Sequence, residues 1–308
     1  VLRRGPVRGV RGRARRGGAG RAVRFVRGAA RGVRVGTGSA AVLCPTRKQV
    51  QRIAEGLEGA GIAALAVDAI GPERVLAVAL PSRHTSSESD ELARDLAEAL
   101  GVRLMVVPIA SPVEAMEDAL AEVLERDGGV AAENLQARAR GTLLMAISNT
   151  LGHLVLATGN KSEMSVGYAT LYGDMNGGYN PIKDLYKMEV YRLARWRNEN
   201  DPYGTGSSPI PERIITRPPS AELRAEQTDQ DSLPPYEVLD AILQRYMEND
   251  QGVESIVAAG FERAMVERVA RLIRLNEYKR RQAPVGIRVT HRSFGKDWRY
   301  PVPSQFRA

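Results

Sequence analysis

From residue 61 onward, apolar and polar positions alternate in blocks of helix and strand length. GIAALAVDAI (61-70) predicts a small-residue apolar helix halted by Gly71 and Pro72, and VLAVAL (75-80) is an unbroken apolar run of buried-strand length. SSESDELARDLAEAL (86-100) opens on serines and acids, repeats Leu92, Leu96 and Leu100 at helical spacing, and meets Gly101 just beyond its end. VRLMVV (102-107) predicts a strand stopped by Pro108, helices follow at about 112-126 and 133-149, and HLVLA (153-157) is a further strand. Strands alternating with helices of these lengths predict a parallel α/β sheet with helices on both faces and right-handed crossovers.

The strand at 153-157 empties abruptly into polar residues, TGNKSEMSVGYATLYGDMNGGYNPIKDLYK (158-187). In an open parallel sheet ligands bind beyond the carboxyl ends of strands, which is where Thr158, Asn160, Lys161, Ser162 and Glu163 fall. A hydroxyl, a cation and a carboxylate so close together suit a nucleotide and its magnesium: Thr158 for base or ribose, Lys161 for phosphate, Glu163 as a hard oxygen ligand. The same residues also read as a solvated helix start, with Ser162 and Glu163 as first-turn polar groups. Upstream, Asn134 and Arg138 share one face of the 133-149 helix, where an amide beside a guanidinium would read a ring substituent and a phosphate, or would simply be solvated.

Composition changes the picture mainly at the start of the chain. Net charge is +8, but residues 1-60 hold 15 of the 44 Lys and Arg against two acids, Glu55 and Glu58, so this stretch carries +13. The remaining 29 basic and 34 acidic residues leave −5 for the rest, so the basic balance says little about the enzyme-like body. VLRRGPVRGVRGRARRGGAGRAVRFVRG has no period of 2 or 3.6, and its Arg/Gly/Val make-up is that of a disordered tail or of a GC-rich gene read out of frame. An RNA-binding arm is the third reading, but Phe25 is the only aromatic residue in the first 60, so nucleic acid is not the expected partner. A single cysteine, Cys44, excludes an internal disulfide framework and suits a reducing, cytoplasmic setting. No apolar run approaches the roughly 20 residues that would span a bilayer.

Four separated stretches, in order, carry a family resemblance: ENLQARARGTLLMAISN (133-149), LATGNKSEMSVGYATLYGDMNGGYNPIKDLYK (156-187), RPPSAELRAEQTDQDSLPPYEVLDAIL (217-243) and EYKRRQAPVGIRVTHRSFGKDWRYP (277-301). Over about 61-308 the chain resembles the synthetase domain of glutamine-dependent NAD synthetases. The resemblance implies a Rossmann-like adenine nucleotide alpha-hydrolase fold, of the N-type ATP pyrophosphatase class. It also implies ATP-dependent amidation of deamido-NAD to NAD through an adenylated intermediate, with magnesium, with ammonia drawn from glutamine or free in solution, and in a homodimer. Carried over position by position, Thr158, Lys187 and Ser220 resemble the family's ATP contacts, while Asn134, Arg138, Glu163 and Lys279 resemble its deamido-NAD or metal contacts, Glu163 being the metal carboxylate. Without the resemblance, Lys187 reads as a solvated helix lysine and Lys279 as part of a basic complement to a helix C-terminus. The glycine-rich 173-178 stretch reads as a lid with glycine hinges.

The chain departs from this family just before the helix at 61-70. There the family carries a Ser-Gly-Gly-x-Asp-Ser loop whose NH groups and hydroxyls cradle pyrophosphate and whose aspartate holds magnesium. Here the residues are Gly56, Leu57, Glu58, Gly59, Ala60, Gly61 and Ile62, which places a negative charge where phosphate should lie. Asp68 is too far along the helix to replace the lost acid, and the Gly36-Thr37-Gly38-Ser39 loop has none. Nothing upstream resembles the family's glutamine-hydrolysing domain. The expectations are therefore a domain boundary at residue 60 and a chain that binds dinucleotide but turns over slowly, with a catalytically silent binding module as the alternative.

Overall fold

The structure is a computed structural model. It describes residues 57-302 apart from 125-128, 205, 207, 221, 225-226 and 296, together with the backbone of three short upstream strands. These are β1 (Arg34–Val35), β2 (Ser39–Ala40) and β3 (Lys48–Arg52). Gly36, Thr37 and Gly38 lie outside the described residues, as does Cys44.

Four parallel strands form the sheet, in the order β5 (Arg103–Val106), β4 (Val75–Ala79), β3, β6 (His153–Leu156). β3 pairs Val50 with Leu76 on one side and with Val155 on the other. The chain thus winds outward from β3 through β4 to β5, then returns to place β6 on the opposite flank of β3. Strand order reverses between β3 and β6, and at such a point the loops leaving the carboxyl ends diverge and open a crevice.

Alternation within β4 sends Val75 and Ala77 to one apolar layer and Leu76 and Val78 to another, so both faces are covered. The first layer takes in helix α1 (Leu57–Ile70) and helix α2 (Ser87–Ala99); the second packs Ile109, Val113, Ala139 and Leu144. Ser86 caps α2 by accepting the Ser89 N–H, Leu92, Leu96 and Leu100 are all buried, and Gly101 takes the left-handed φ of +64° that ends the helix. The predicted third helix is shorter than expected, α3 (Ala110–Ala119), and the fourth is longer, α4 (Gly129–Leu151). The residue-60 position falls inside α1, whose buried face already begins at Leu57.

A second apolar unit is wholly helical. It joins Tyr236, Leu239 and Leu243 of α8 (Tyr236–Leu243) to Val266, Val269 and Ile273 of a helix at Arg263–Leu275. α6 (Lys187–Glu199) bridges the two units, with Val190, Leu193 and Ala194 in the first and Met188 against the second; α5 (Lys161–Val166) joins the helical unit through Val166, and α7 (Glu212–Thr216) follows α6.

The glycine-rich 173-178 stretch is docked rather than hinged open. Gly178 donates to the Val155 carbonyl at 2.9 Å, Ala157 donates to Tyr179 at 2.8 Å, and a Cβ on Gly177 would meet Ala157 N and Val155 O at 3.0 Å. The glycines let this backbone lie against β6, which is close approach and not lid chemistry.

Candidate active site

At the carboxyl edge, where strand order reverses, the chain encloses a cavity of about 340 Å³. Thr158, Glu163, Lys187, Ser220 and Asn134 all line it, although they come from four separated segments. Arg138 and Lys279 do not line it. Arg138 is exposed and its Nε donates to the Leu171 carbonyl at 3.3 Å. The Lys279 ammonium donates to the Gly167 and Ala169 carbonyls at 2.8 and 2.7 Å, so it braces backbone that forms part of the wall. Asn134 accepts the Thr170 hydroxyl proton at 2.8 Å, fixing that wall from α4.

The 158-163 segment divides its labour in a way the residue types do not announce. Asn160 and Glu163 close a capping box: Asn160 Oδ1 accepts the Glu163 N–H at 3.0 Å while Glu163 Oε2 accepts the Asn160 N–H at 3.2 Å. That box presents Glu163 to the cavity and turns Lys161 away from it. Lys161 is fully buried, donating to Glu248 at 2.7 Å, Thr290 at 2.7 Å and the Arg292 carbonyl at 2.8 Å, with Asp184 at 3.0 Å. The phosphate role expected of Lys161 is therefore not available to it; the ammonium is a tie between the core and the C-terminal segment.

Ser162 is likewise structural. It donates to Asp240 Oδ1 and accepts the Lys187 N–H at 2.9 Å, while Asp240 Oδ2 accepts the Met188 N–H at 2.9 Å. Two otherwise unpaired N–H groups at the start of α6 are met this way. Burial pushes the Asp240 carboxyl up to about 6, with the bonds from Ser162 and Met188 opposing and Glu189 adding. The native state holds this proton above the pH at which the unfolded chain releases it, near the ordinary value of 3.8, so this contribution to stability is present in acid and lost as pH rises through about 6. The loss is on the order of 3 kcal/mol. Urea midpoints compared at pH 4.5 and pH 7 should show this slope flattened in Asp240→Asn; equal slopes in the two proteins would place the titration elsewhere.

Lys187 is the cation at the charged end of the cavity, and it is only 2 % exposed, not the solvated helix lysine its local sequence suggests. Its ammonium lies 2.7 Å from Glu58, 3.2 Å from Glu163 and 3.9 Å from Asp229, and 4.8 Å from the centre of the Tyr236 ring. Burial works against its charge, but Glu58, Glu163 and Asp229 outweigh that and hold its pKa above the ordinary lysine value. The Glu163 carboxyl is pushed upward by burial first, then by Glu58 and Asp229, with Lys187 opposing. Burial also raises Asp229, which accepts the Tyr236 hydroxyl proton at 2.7 Å.

Glu58 and Asp229 had no sequence signal as site residues beyond the negative charge already noted at position 58. Glu58 stands in the first turn of α1, where a carboxylate suits the helix dipole, and it also accepts from Asn160 Nδ2 at 3.1 Å. Asp68 is consumed elsewhere, in a buried two-bond pair with Arg197 at 2.8 and 3.0 Å.

Among the described residues no group of three or more His, Cys, Asp or Glu side chains is arranged to hold a metal ion. Magnesium, however, commonly binds through one or two carboxylates with substrate phosphates and waters completing its shell, and the cavity-facing, charge-crowded Glu163 fits that mode. Among the described residues no helix is long and apolar enough to cross a membrane.

Known proteins are similar to this chain over the residues that form the cavity. The family profile described as NAD synthase matches residues 42–283. A glutamine-dependent NAD(+) synthetase of Xanthomonas campestris is 52% identical over 262 residues, 84% of this chain and 47% of that protein. Its counterpart in Rhodobacter capsulatus is 54% identical over 256 residues, 82% of this chain and 46% of that protein. A solved glutamine-dependent NAD+ synthetase from Acinetobacter baumannii, in complex with ADP, is 46% identical, covers 83% of this chain and 45% of its own, and superposes with a TM-score of 0.53. The chain spans about half the length of the curated relatives it matches. The sheet with its reversal of strand order has the Rossmann-like N-type ATP pyrophosphatase fold, and with a profile match covering most of the chain at this level of identity, the chain belongs to the NAD synthase family.

Proposed function

We propose that this chain is a synthetase domain that amidates deamido-NAD to NAD at the expense of ATP, with activity limited by the loss of the phosphate loop. The observation that carries the reading is the convergence of Thr158, Glu163, Lys187, Ser220 and Asn134 on one cavity at the carboxyl edge of the sheet. Its volume, about 340 Å³, is within the range of small-molecule sites. In this reading the nicotinate carboxylate attacks the α-phosphate of ATP, forming an acyl adenylate and releasing pyrophosphate. Ammonia then attacks the acyl carbon, AMP leaves, and a proton lost from nitrogen completes the amide.

Attack of one anion on another needs positive charge where the leaving group forms. Lys187 is the cavity-lining ammonium for the polyphosphate, Thr158 and Ser220 hold ATP, and Asn134 orients the nicotinate end. Glu163 would hold magnesium, which when bound neutralises phosphate charge. Arg138 and Lys279 act from outside the cavity wall, Lys279 by bracing the Gly167 to Ala169 backbone. Homodimer assembly belongs to the same reading and is supported by the exposed apolar side chains Val123, Val130, Met145 and Leu151 on and before α4.

One observation favours the second reading, a silent dinucleotide-binding module: Glu58 already occupies Lys187. A single assay separates the two. With deamido-NAD, ATP, magnesium and ammonium, the chain should bind deamido-NAD and form NAD very slowly. Restoring Ser-Gly-Gly-Ile-Asp-Ser immediately before α1 should raise the rate by on the order of a hundredfold or more, since each restored oxyanion donor is worth about 3 kcal/mol. Glu163→Gln in that chain should abolish the gain. If the repaired chain stays inactive while binding deamido-NAD, the silent reading stands, and light scattering of the same preparation tests the dimer.

A further inference from the structure

The turn that carries Thr158 into the cavity is tied down at both ends and held by one bond between them. β6 ends at Leu156 and α5 begins at Lys161; the Ala157 N–H donates to the Tyr179 carbonyl and the Lys161 N–H to the Leu185 carbonyl, each at 2.8 Å. Thr158 lines the cavity and is buried. Among the described residues, the one hydrogen bond on the Thr158–Gly159 pair is accepted by the Gly159 carbonyl, from Asn180 Nδ2 at 2.7 Å. The backbone groups of such a turn have no ladder to set them, so the way Thr158 faces the cavity depends on that side chain.

Asn180 is itself fixed on several sides. It is 1% exposed, its Oδ1 accepts the Ile182 N–H at 3.2 Å, and its backbone N–H donates to the Val285 carbonyl at 2.8 Å. Its own carbonyl lies against Gly286, where a Cβ would come within 2.5 Å of it. The two ends of a carboxamide are alike in shape, but an N–H on one side and a carbonyl on the other leave a single orientation, with Nδ2 toward Gly159. Burying an amide is costly, and this one spends its donor on the cavity turn while lying outside the cavity lining.

We propose that Asn180 is a positioning residue of the nucleotide site: by holding the Gly159 carbonyl it orients Thr158 toward the base or ribose. The inference rests on the nucleotide reading of the cavity and adds to it a residue behind the wall. The charged end is built without this bond, since Lys187 is met by Glu58 and Glu163, and Glu163 is set by its capping box with Asn160. Loss of the Asn180 donor should therefore weaken the half of a nucleotide that Thr158 meets and spare the phosphates.

The test is Asn180→Asp, which keeps the shape and the acceptor for the Ile182 N–H but turns an oxygen toward the Gly159 carbonyl. ATP and inorganic pyrophosphate are titrated calorimetrically into the full native chain and the variant at about pH 8, at a temperature where both are folded. Both ligands meet the Lys187 end, so whatever Glu58 costs cancels between the two proteins. ATP should bind the variant about tenfold more weakly, as expected when a buried carbonyl loses its donor, while pyrophosphate binds both alike. Lowering the pH should restore the variant's ATP affinity relative to the native chain's, because a protonated carboxyl again offers Gly159 a donor; a simple loss of packing would not recover in this way. Asn180→Ser, whose side chain is too short to reach Gly159, should show the same selective loss without the rescue, and it carries the comparison alone if Asn180→Asp does not fold. If ATP binds the folded variants as it binds the native chain, or if pyrophosphate weakens by the same factor as ATP, Asn180 only braces the fold and the proposal is overturned. A native chain that binds no ATP at all would instead sink the nucleotide reading, and this inference with it.

Discussion

Glu58→Gln is expected to tighten binding of ATP and of inorganic pyrophosphate by about tenfold to a hundredfold, the worth of one charge-assisted hydrogen bond made available to a new partner. In the unliganded chain the Glu58 carboxylate takes both donors that a polyphosphate would want, the Lys187 ammonium at 2.7 Å and Asn160 Nδ2 at 3.1 Å. Glu163 and Asp229 already face the same ammonium, so Glu58 leaves that end of the cavity with more negative than positive charge. An incoming phosphate must displace the carboxylate and then share a surplus of like charge, and glutamine removes both obstacles while keeping the shape. The cost to α1 of losing a first-turn carboxylate is only about 0.3–1 kcal/mol, too little to unfold it. Lys187→Met provides the control, since it should abolish the gain. The pair would be incidental if isothermal titration found pyrophosphate bound no more tightly by Glu58→Gln than by the native chain.

The sheet was legible where strands obey the rule that both faces are buried. VLAVAL and HLVLA are apolar throughout and fold as β4 and β6. β3 was not legible, because KQVQR offers one apolar residue in five at the centre of a parallel sheet, where an apolar run is the norm. Its identity comes from pairing on both sides, which no local pattern records. α1 was read four residues late because Gly59 and Gly61 resemble loop residues; in the fold they are buried in the first turns of the helix. At the site, the sequence showed which short segment carries chemistry but not how its members divide. Lys161 and Lys187 are both lysines in polar surroundings, and only the fold shows that Lys161 is buried against Asp184 and Glu248 while Lys187 lines the cavity.

Lys161→Met is expected to destabilise the protein by about 3–5 kcal/mol, the usual consequence of removing one partner from a buried ion pair. The ammonium is wholly buried between Asp184 at 3.0 Å and Glu248 at 2.7 Å, and methionine would leave both carboxylates without their cation. The damage should concentrate in the C-terminal segment. Lys161 holds the Arg292 carbonyl and the Thr290 hydroxyl, while Asp184 accepts the Val289 and Thr290 N–H groups at 2.7 Å each. Glu248 Oε2 lies 3.2 Å from His291 Nδ1. Limited proteolysis should therefore release residues beyond about 284 from the variant before the sheet is attacked. The phosphate role suggested by the sequence makes the opposite forecast, a chain of native stability that has lost nucleotide affinity. Urea midpoints and ATP titrations, run side by side on Lys161→Met and Lys161→Arg at a temperature where both remain folded, distinguish the two. A stable variant with weakened ATP binding would return Lys161 to the cavity; an unstable one whose folded fraction binds ATP as the native chain does leaves Lys187 as the lysine that meets the phosphates.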